Sequence, residues 1–244
     1  MRHPENEPAQ TNDPRATSFR ALPGGRFRMG SLARPDEQPI HDEELEPFAV
    51  ASTPVSNAEF AVFIEATGHE PPRFWDDALF NAPTQPVVGV SWFDAVDYCE
   101  WLSGLLGRRC RLPTEAEREY AARGGVEGAL YPWGDTPWTE GAFALGAAGT
   151  DRPLTIGSTS PNGYGLHHMG ENVHEWCSDW YDPAGYIGDR ATQGQDDARK
   201  QPERRVSRGG SWRHHLKVSR VTARSSLSPD RRYNDYGFRV YADP

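Results

Sequence analysis

Glycine and proline interrupt this chain too often for a bundle of long helices. The 244 residues include 24 Gly and 21 Pro. Proline lacks the backbone donor that a helix interior needs, and glycine loses the most conformational entropy on ordering. From residue 132 onward both recur at short intervals, which predicts loops and short strands there. Because 36% of the chain is still hydrophobic, we expect one α+β domain with a packed core and little regular secondary structure.

Three helices are predicted in the first half of the chain. The first and third begin at a Ser or Thr that is followed three residues later by Glu, which is the capping-box pattern, the second has Asp94 in its first turn, and each ends at a glycine. The helices are expected to begin at Ser56, Ser91 and Thr114 and to end at Gly68, Gly107 and Gly124.

The segments before these helices predict less regular structure. Residues 1–18 contain no aromatic side chain and are rich in Pro, Glu, Asn and Asp, which indicates a disordered tail ahead of a domain over 19–244. Residues 19–30 predict two short strands around a glycine turn. Residues 35–47 are acidic and are predicted to form a loop.

Charge is unevenly distributed along the chain. The net charge is −9, yet residues 190–244 hold 13 Lys and Arg against 6 Asp and Glu. A basic end of this kind either binds nucleic acid or folds back onto the acidic part of the same chain. The arginines alternate with Gly, Ser and aromatic residues, as in a packed segment, and the overall charge is negative. We therefore expect internal ion pairs and no nucleic-acid partner.

Location and redox state follow from what the sequence contains. No apolar run approaches the length of a membrane span, and the first residues show no secretory signal, so a cytoplasmic protein without a membrane partner is expected. Cys99, Cys110 and Cys177 are an odd number of cysteines and do not form a disulfide framework. We interpret them as buried thiols; a redox thiol or a metal ligand is the alternative.

Seven motifs in a fixed order indicate a family. They are PVVGVSWFDA (86–95), RLPTEAEREYAARGG (111–125), YPWGD (131–135), PNGYGL (161–166), ENVHEWCSDWY (171–181), RGGSW (208–212) and GFR (237–239). In this order and spacing the chain resembles the sulfatase-modifying factor family, whose namesake is the formylglycine-generating enzyme. The resemblance covers about residues 19–243 and implies a single domain with a C-type-lectin-like core. The family contains oxidases and non-catalytic binding modules, so the site must decide the function.

The copper ligands of the namesake are absent from the matching positions. Near residues 209–212 the formylglycine-generating enzyme carries two cysteines that bind copper(I), activate O₂ and oxidise a substrate cysteine. These cysteines match His214 and Ser219, whereas Ser211 matches a serine that lines the oxygen pocket. Copper(I) prefers thiolate ligands. The resemblance therefore implies that this chain neither holds copper through a cysteine pair nor generates formylglycine.

Two more pocket positions of the family differ here. His174 replaces a Trp and Asp235 replaces an Asn. With His214 they make up two histidines and a carboxylate, the ligand set of non-haem iron(II) oxygenases, so the resemblance implies a pocket for iron or another divalent metal. Without a metal, His174 is a candidate general base that Asp235 orients. Drift in a pocket that has lost its activity is the third interpretation.

The resemblance also implies other binding residues. The family holds a structural Ca²⁺ through an Asn that matches His168 and a Glu that matches Glu175, and a His in this position weakens such a site. His167 with Glu171 is a weaker candidate for a separate transition-metal site. Ser211 joins the expected catalytic residues, and the residues expected to bind substrate are Arg208, Trp212, Arg213, Arg220 and Tyr236.

These observations lead to two functional hypotheses. The first is an oxidoreductase that uses O₂ to oxidise a small molecule, for example in a tailoring step of secondary-metabolite biosynthesis, with a non-haem iron, another divalent metal or no metal. The second is a non-catalytic module that binds a peptide or a protein. Convergence of His174, His214 and Asp235 in one polar pocket would favour the first.

Overall fold

The computed structural model describes residues 13–135, 151–186 and 203–244. Among these residues the longest strand has seven residues and the longest helix has 15. The elements are β1 (Phe19–Leu22), β2 (Gly25–Met29), β3 (His41–Leu45), β4 (Phe48–Ala51), α1 (Asn57–Thr67), α2 (Trp92–Leu106), β5 (Cys110–Arg111), α3 (Glu115–Arg123), β6 (His174–Trp180), β7 (Arg205–Arg208), β8 (Arg224–Leu227), β9 (Tyr236–Gly237) and β10 (Tyr241–Ala242). The α+β class and the low content of regular structure are thereby confirmed.

The described strands form two four-stranded sheets and one two-stranded sheet. The first sheet has the order β1-β4-β10-β5, and β2 pairs with β3 by itself. The second large sheet has the order β8-β7-β6-β9, in which β6 runs antiparallel to β7 and parallel to β9. The strands predicted within residues 19–30 are present, but they belong to different sheets because β1 pairs with β4.

All three predicted helices are present, and each has both hydrogen bonds of its capping box. In α2, the amide of Asp94 donates to Ser91 Oγ at 3.1 Å and the amide of Ser91 donates to Asp94 Oδ2 at 2.7 Å. Each helix ends at a glycine whose φ lies between 62° and 71°, a conformation that favours glycine. Aromatic side chains of α1 and α2, such as Phe60 and Tyr98, stack in the main core.

Two predictions about the first 50 residues are wrong in part. Residues 41–45 of the predicted acidic loop form β3, because they pair antiparallel with β2 along its whole length, and Asp42 forms an ion pair with Arg26 of β2 at 2.5 Å. Part of the predicted tail is ordered as well. Residues Pro14–Ala16 form a 3₁₀ turn with Pro14 buried, and Thr17 Oγ1 donates to Glu59 of α1. Residues 1–12 lie outside the described part of the chain.

The basic end of the chain folds back onto acidic residues, as predicted. Arg208 lies between the carboxylates of Glu115 and Glu119, and four other arginines pair with acidic residues far away in sequence. These pairs are Arg220–Glu37, Arg224–Glu115, Arg232–Asp94 and Arg239–Glu175.

The three cysteines of the chain are thiols inside the protein. Cys99, Cys110 and Cys177 are free and buried, which confirms the interpretation as buried thiols. Burial raises the pKa of all three, so thiolate formation is disfavoured.

Within the ranges that the structure describes, no helix is long and apolar enough to cross a membrane.

Candidate active site

Sheet topology brings the three pocket residues to one edge of the β8-β7-β6-β9 sheet. His174 is the first residue of β6, and Asp235 directly precedes β9, which runs parallel to β6. Because β7 is antiparallel to β6, the loop that leaves β7 and carries Ser211 and His214 emerges at the same edge. The amide of His174 donates to the Asp235 carbonyl at 2.8 Å. Positions up to 61 residues apart are therefore adjacent in space.

Two glycines let the loop after β7 enter this edge. Gly209 has a φ of +81°, and a Cβ there would lie 3.1 Å from Arg118 Nη2. A Cβ on Gly210 would lie 2.6 Å from the Gly170 carbonyl and 2.7 Å from Ser219 Oγ. Larger residues would push the loop, and with it His214, away from β6.

The two histidine rings contact each other directly. Nε2 of His174 lies 2.9 Å from Nδ1 of His214, and the ring centroids are 4.9 Å apart. Tyr236 packs on the other side of His174 at a centroid distance of 4.9 Å. Ser211 Oγ lies 3.0 Å from the same Nδ1 of His214. His174, His214 and Ser211 are thus in contact with one another at this edge of the sheet.

Asp235 completes the cluster, and Arg213 balances its charge. Arg213 donates to both carboxylate oxygens at 3.0 Å, and Ser211 Oγ donates to Oδ2 at 3.2 Å. Oδ2 also lies 3.8 Å from Nε2 of His214. One donor atom from each of His174, His214 and Asp235 lies within 4.8 Å of the others. Asp235 therefore faces His214 more directly than it faces the His174 ring.

Burial keeps both histidines neutral at physiological pH. It lowers the pKa of His174 to about 4, although the negative charge of Asp235 opposes this effect. The pKa of His214 is also lowered, mainly by burial and secondarily by the Arg213 guanidinium, again against Asp235. Neutral imidazole offers a lone pair to a proton or to a metal ion. The His214 side chain is 37% exposed, whereas His174 is buried.

Both His174 and His214 line a pocket of about 260 Å³, whose shape the sequence does not predict. Its wall includes Tyr181 and Arg204, which follow β6 and precede β7, and Arg34, which lies far from both histidines in sequence. Arg34 and Arg204 lie outside the seven motifs, and Tyr181 ends one of them without being predicted to line a pocket. No Asp or Glu side chain from the described parts of the chain lines this pocket.

The residues predicted to bind substrate do not line this pocket. Arg208 and Arg220 are held by carboxylates, namely Glu115 and Glu119 for the first and Glu37 for the second. Carboxylates within the protein neutralise both guanidinium groups, so the prediction that Arg208 and Arg220 bind substrate is wrong.

The other three residues predicted to bind substrate lie around the histidine cluster without lining the pocket. Arg213 binds Asp235. Trp212 is 8% exposed, packs with Phe80, and donates through Nε1 to the Asn234 carbonyl. Tyr236 is buried beneath His174. These residues position the cluster rather than face the pocket.

Glu175 does not fit the predicted calcium site. Arg118 donates to Oε2 at 2.7 Å and Arg239 donates to Oε1 at 2.8 Å, with all three side chains at most 1% exposed. Burial favours the neutral acid, but the two guanidinium groups outweigh it and lower the pKa of Glu175. Arg118 and Arg239 already neutralise the Glu175 carboxylate, so no negative charge is left there to hold a cation.

His168 is likewise committed to protein contacts. Its Nε2 accepts the amide of Gly157 at 2.9 Å, and its Nδ1 lies 3.0 Å from Glu171 Oε1. His167 points elsewhere, with Nδ1 2.7 Å from the Thr159 carbonyl. The segment 167–171 is therefore an internal hydrogen-bond network and supports neither a calcium site nor a separate His167–Glu171 metal site.

Copper(I) coordination by a cysteine pair does not fit the residues of the pocket. Ser219, at the second cysteine position of the namesake, is 6% exposed and packs against Gly210. The three thiols of the chain are buried, and none of them lines the pocket.

Comparison with known proteins defines the class. The formylglycine-generating enzyme of Streptomyces coelicolor is 35% identical over 300 residues, which cover 97% of this chain and 93% of that enzyme. The inactive C-alpha-formylglycine-generating enzyme 2 of Mus musculus is 32% identical over 278 residues, covering 89% and 83%. Among solved structures, PvdO from Pseudomonas aeruginosa superimposes with a TM-score of 0.81 at 28% identity, covering 98% of this chain and all of PvdO.

Fold and relatives thus place the protein among the formylglycine-generating-enzyme-like domains. The model of the sulfatase-modifying factor enzyme 1-like domain matches residues 4–244. The chain belongs to this family, as the seven sequence motifs indicated.

Proposed function

We propose that this protein is an O₂-dependent oxidoreductase that acts on a small molecule at the cluster of His174, His214 and Asp235. The observation that carries this proposal is a pair of neutral imidazoles that line one small pocket, with the charge-balanced carboxylate of Asp235 buried behind them. Nδ1 of His214 contacts His174 and Ser211. The half-exposed ring also borders the pocket, where a ligand can reach it.

His214 is better suited than His174 to accept a substrate proton. Its ring is more exposed, and Asp235 lies 3.8 Å from its Nε2, where the carboxylate stabilises the imidazolium that forms. The low pKa of His174, about 4, makes that ring a poor base at neutral pH. The sequence-based role of His174 as the base therefore passes to His214, and His174 fixes its orientation through the 2.9 Å contact.

The overall reaction removes two electrons and two protons from the substrate. Loss of one X–H proton to His214 leaves an electron-rich anion that is more easily oxidised. O₂ takes the two electrons and two protons and leaves as H₂O₂, so that SH₂ + O₂ gives S + H₂O₂. The enzyme contributes deprotonation and positioning, which in general account for large parts of a catalysed rate.

The charges of the pocket wall favour an anionic substrate. Arg204 donates to the Oγ of Ser226 at 3.0 Å and has no carboxylate partner among the described residues. Arg34 uses its Nε for Asp36 at 3.1 Å, which leaves its terminal nitrogens for a ligand. Guanidinium groups recognise carboxylates and phosphates through paired hydrogen bonds. At about 260 Å³ the pocket fits a small metabolite.

An oxygen-electrode assay tests this proposal. The wild-type protein is offered a panel of small carboxylated or phosphorylated phenols, enediols, amines and thiols, and both O₂ uptake and H₂O₂ formation are followed. We expect one class to be oxidised, with activity lost in His214→Asn and retained in His215→Asn, a control at the exposed neighbour. Equal rates for wild type and His214→Asn across the panel would sink the proposal and favour the peptide-binding module.

A further inference from the structure

We propose that Ser211 is a positioning residue that selects the tautomer of His214, with the proton on Nδ1 and the lone pair on Nε2. This choice makes Nε2 the basic atom of the half-exposed ring. The inference deepens the function proposed above and rests on it for the use of that lone pair. The tautomer itself follows from the contacts within the cluster.

The Ser211 hydroxyl has one proton, and its neighbours decide where that proton points. Oγ lies 3.2 Å from Oδ2 of Asp235 and 3.0 Å from Nδ1 of His214. Arg213 donates to both oxygens of Asp235 at 3.0 Å, so the side chain is a carboxylate that can only accept. A hydrogen bond to a carboxylate is about twice as strong as one between neutral groups. The Ser211 proton therefore goes to Asp235, and a lone pair of Oγ is left for His214.

The Nδ1 atom of His214 must then carry the proton of that ring. Two lone pairs at 3.0 Å would repel each other, and a neutral imidazole has a proton on one nitrogen only. Nε2 of His174 lies 2.9 Å from the same Nδ1 and is the second acceptor of this proton. The contact between the two rings is thus a hydrogen bond from His214 to His174.

This hydrogen bond also sets the tautomer of His174. Because its Nε2 accepts, the proton of the His174 ring is on Nδ1. That nitrogen is buried and makes no hydrogen bond of normal geometry to the described residues. The backbone of Gly209 nevertheless acts to raise the pKa of the ring, against the larger effect of burial, as expected for a carbonyl near an N–H group.

The reverse arrangement of protons is the competing state. In that state Nε2 of His174 donates to Nδ1 of His214, and the His214 proton is on Nε2. The carboxylate of Asp235 favours the reverse state, because its Oδ2 lies 3.8 Å from Nε2 of His214. Ser211 opposes it, because the Oγ lone pair would face a bare Nδ1. The histidine pair permits both tautomers, and the hydroxyl decides between them.

The position of this one proton decides whether the substrate meets a base. With the proton on Nδ1, Nε2 of His214 can take the substrate proton, and the imidazolium is then stabilised by Asp235 at 3.8 Å. In the reverse state Nε2 already holds a proton. The bare Nδ1 is then enclosed by His174 and Ser211, where a substrate does not reach it.

Long-range ¹H–¹⁵N correlation NMR reads the tautomers without any substrate. The full-length protein is labelled with ¹⁵N-histidine, and the chemical shift of each ring nitrogen at pH 7 distinguishes a protonated from a bare nitrogen. Signals are assigned by their loss in His174→Gln and His214→Asn. In wild type we expect a protonated Nδ1 and a bare Nε2 in both rings.

Variants of Ser211 test its role in this choice. Ser211→Ala should reverse the tautomers of both His174 and His214, whereas Ser211→Thr keeps the hydroxyl and should retain those of wild type. Ser225→Ala is the matched control, because its hydroxyl belongs to the same pocket wall but contacts Tyr236, and it should leave both tautomers unchanged. With a substrate from the oxygen-electrode assay, Ser211→Ala should lower kcat by about 10²- to 10⁴-fold, with KM little changed.

Two results would overturn the proposal. One is a wild-type spectrum with the His214 proton on Nε2, and the other is a folded Ser211→Ala variant that keeps the wild-type tautomers. Circular dichroism verifies folding, and Ser211→Gly removes the hydroxyl if the Ala variant is unfolded.

Failure of this assignment and failure of the proposed function are distinguishable. The expected tautomers in a protein that oxidises no substrate support the role of Ser211 and reject the oxidation. Oxidation by a protein with the reverse tautomers rejects the role of Ser211 and supports the oxidation.

Discussion

Glu175→Gln probes the buried ion triad that replaces the expected calcium site. The carboxylate lies between Arg118 and Arg239, and each guanidinium donates to it at 2.7 to 3.2 Å. Gln keeps the shape of the side chain but removes its charge. Two arginines that are at most 1% exposed would then share a neutral amide.

The expected loss in the free energy of unfolding follows from that burial. Removal of one partner from a buried pair costs about 3–5 kcal/mol, because the remaining charge is uncompensated. For a domain of this size, 1 kcal/mol lowers the melting temperature by about 2–4 °C, so a decrease of about 6–20 °C is expected. Arg239 also donates to the carbonyls of Ala51 and His167, which links the loss to two neighbouring segments.

Differential scanning calorimetry and urea unfolding at pH 7 measure this effect. Asp42→Asn, which breaks the exposed Arg26–Asp42 pair, serves as the control and should leave the transition nearly unchanged. EDTA should not lower the melting temperature of wild type. A loss below about 1 kcal/mol in Glu175→Gln, or an EDTA effect that this variant abolishes, would show that a cation and not arginine neutralises Glu175.

Three further predictions use the same described residues. Incubation with a Cys-x-Pro-x-Arg peptide and copper should yield no formylglycine by mass spectrometry, because His214 and Ser219 stand at the copper positions; conversion would contradict this assignment. Cys99, Cys110 and Cys177 should react slowly with a thiol reagent in the native state and fully in urea, since all three are buried; fast native labelling would show an open thiol. Because the pKa of His174 falls from 6.5 to about 4 on folding, its contribution to stability is present above about pH 6.5 and is lost as the pH falls toward 4. His174→Gln should flatten that part of the stability–pH curve, and an unchanged slope would exclude His174 as its source.

Local signals predicted the helices because their ends are local. The hydroxyl at the start, the acidic residue three positions later and the glycine at the end act within a few residues of one another. Strand β3 was missed because its partner decides it. His41–Leu45 is acidic by composition, and its strand depends on backbone pairing with β2, whose Arg26 and Arg28 lie opposite acidic residues.

The same contrast between local signals and contacts distant in sequence applies to the candidate site. His174, His214 and Asp235 were predicted because they replace residues at pocket positions of the family. The parallel pairing of β6 with β9 brings His174 and Asp235 together, and the loop after β7 adds His214. Internal ion pairs of the arginines were expected, but the particular partners could not be predicted. Arg208 and Arg220 are sequence neighbours of the pocket loop, yet their partners Glu119 and Glu37 lie 89 and 183 positions away.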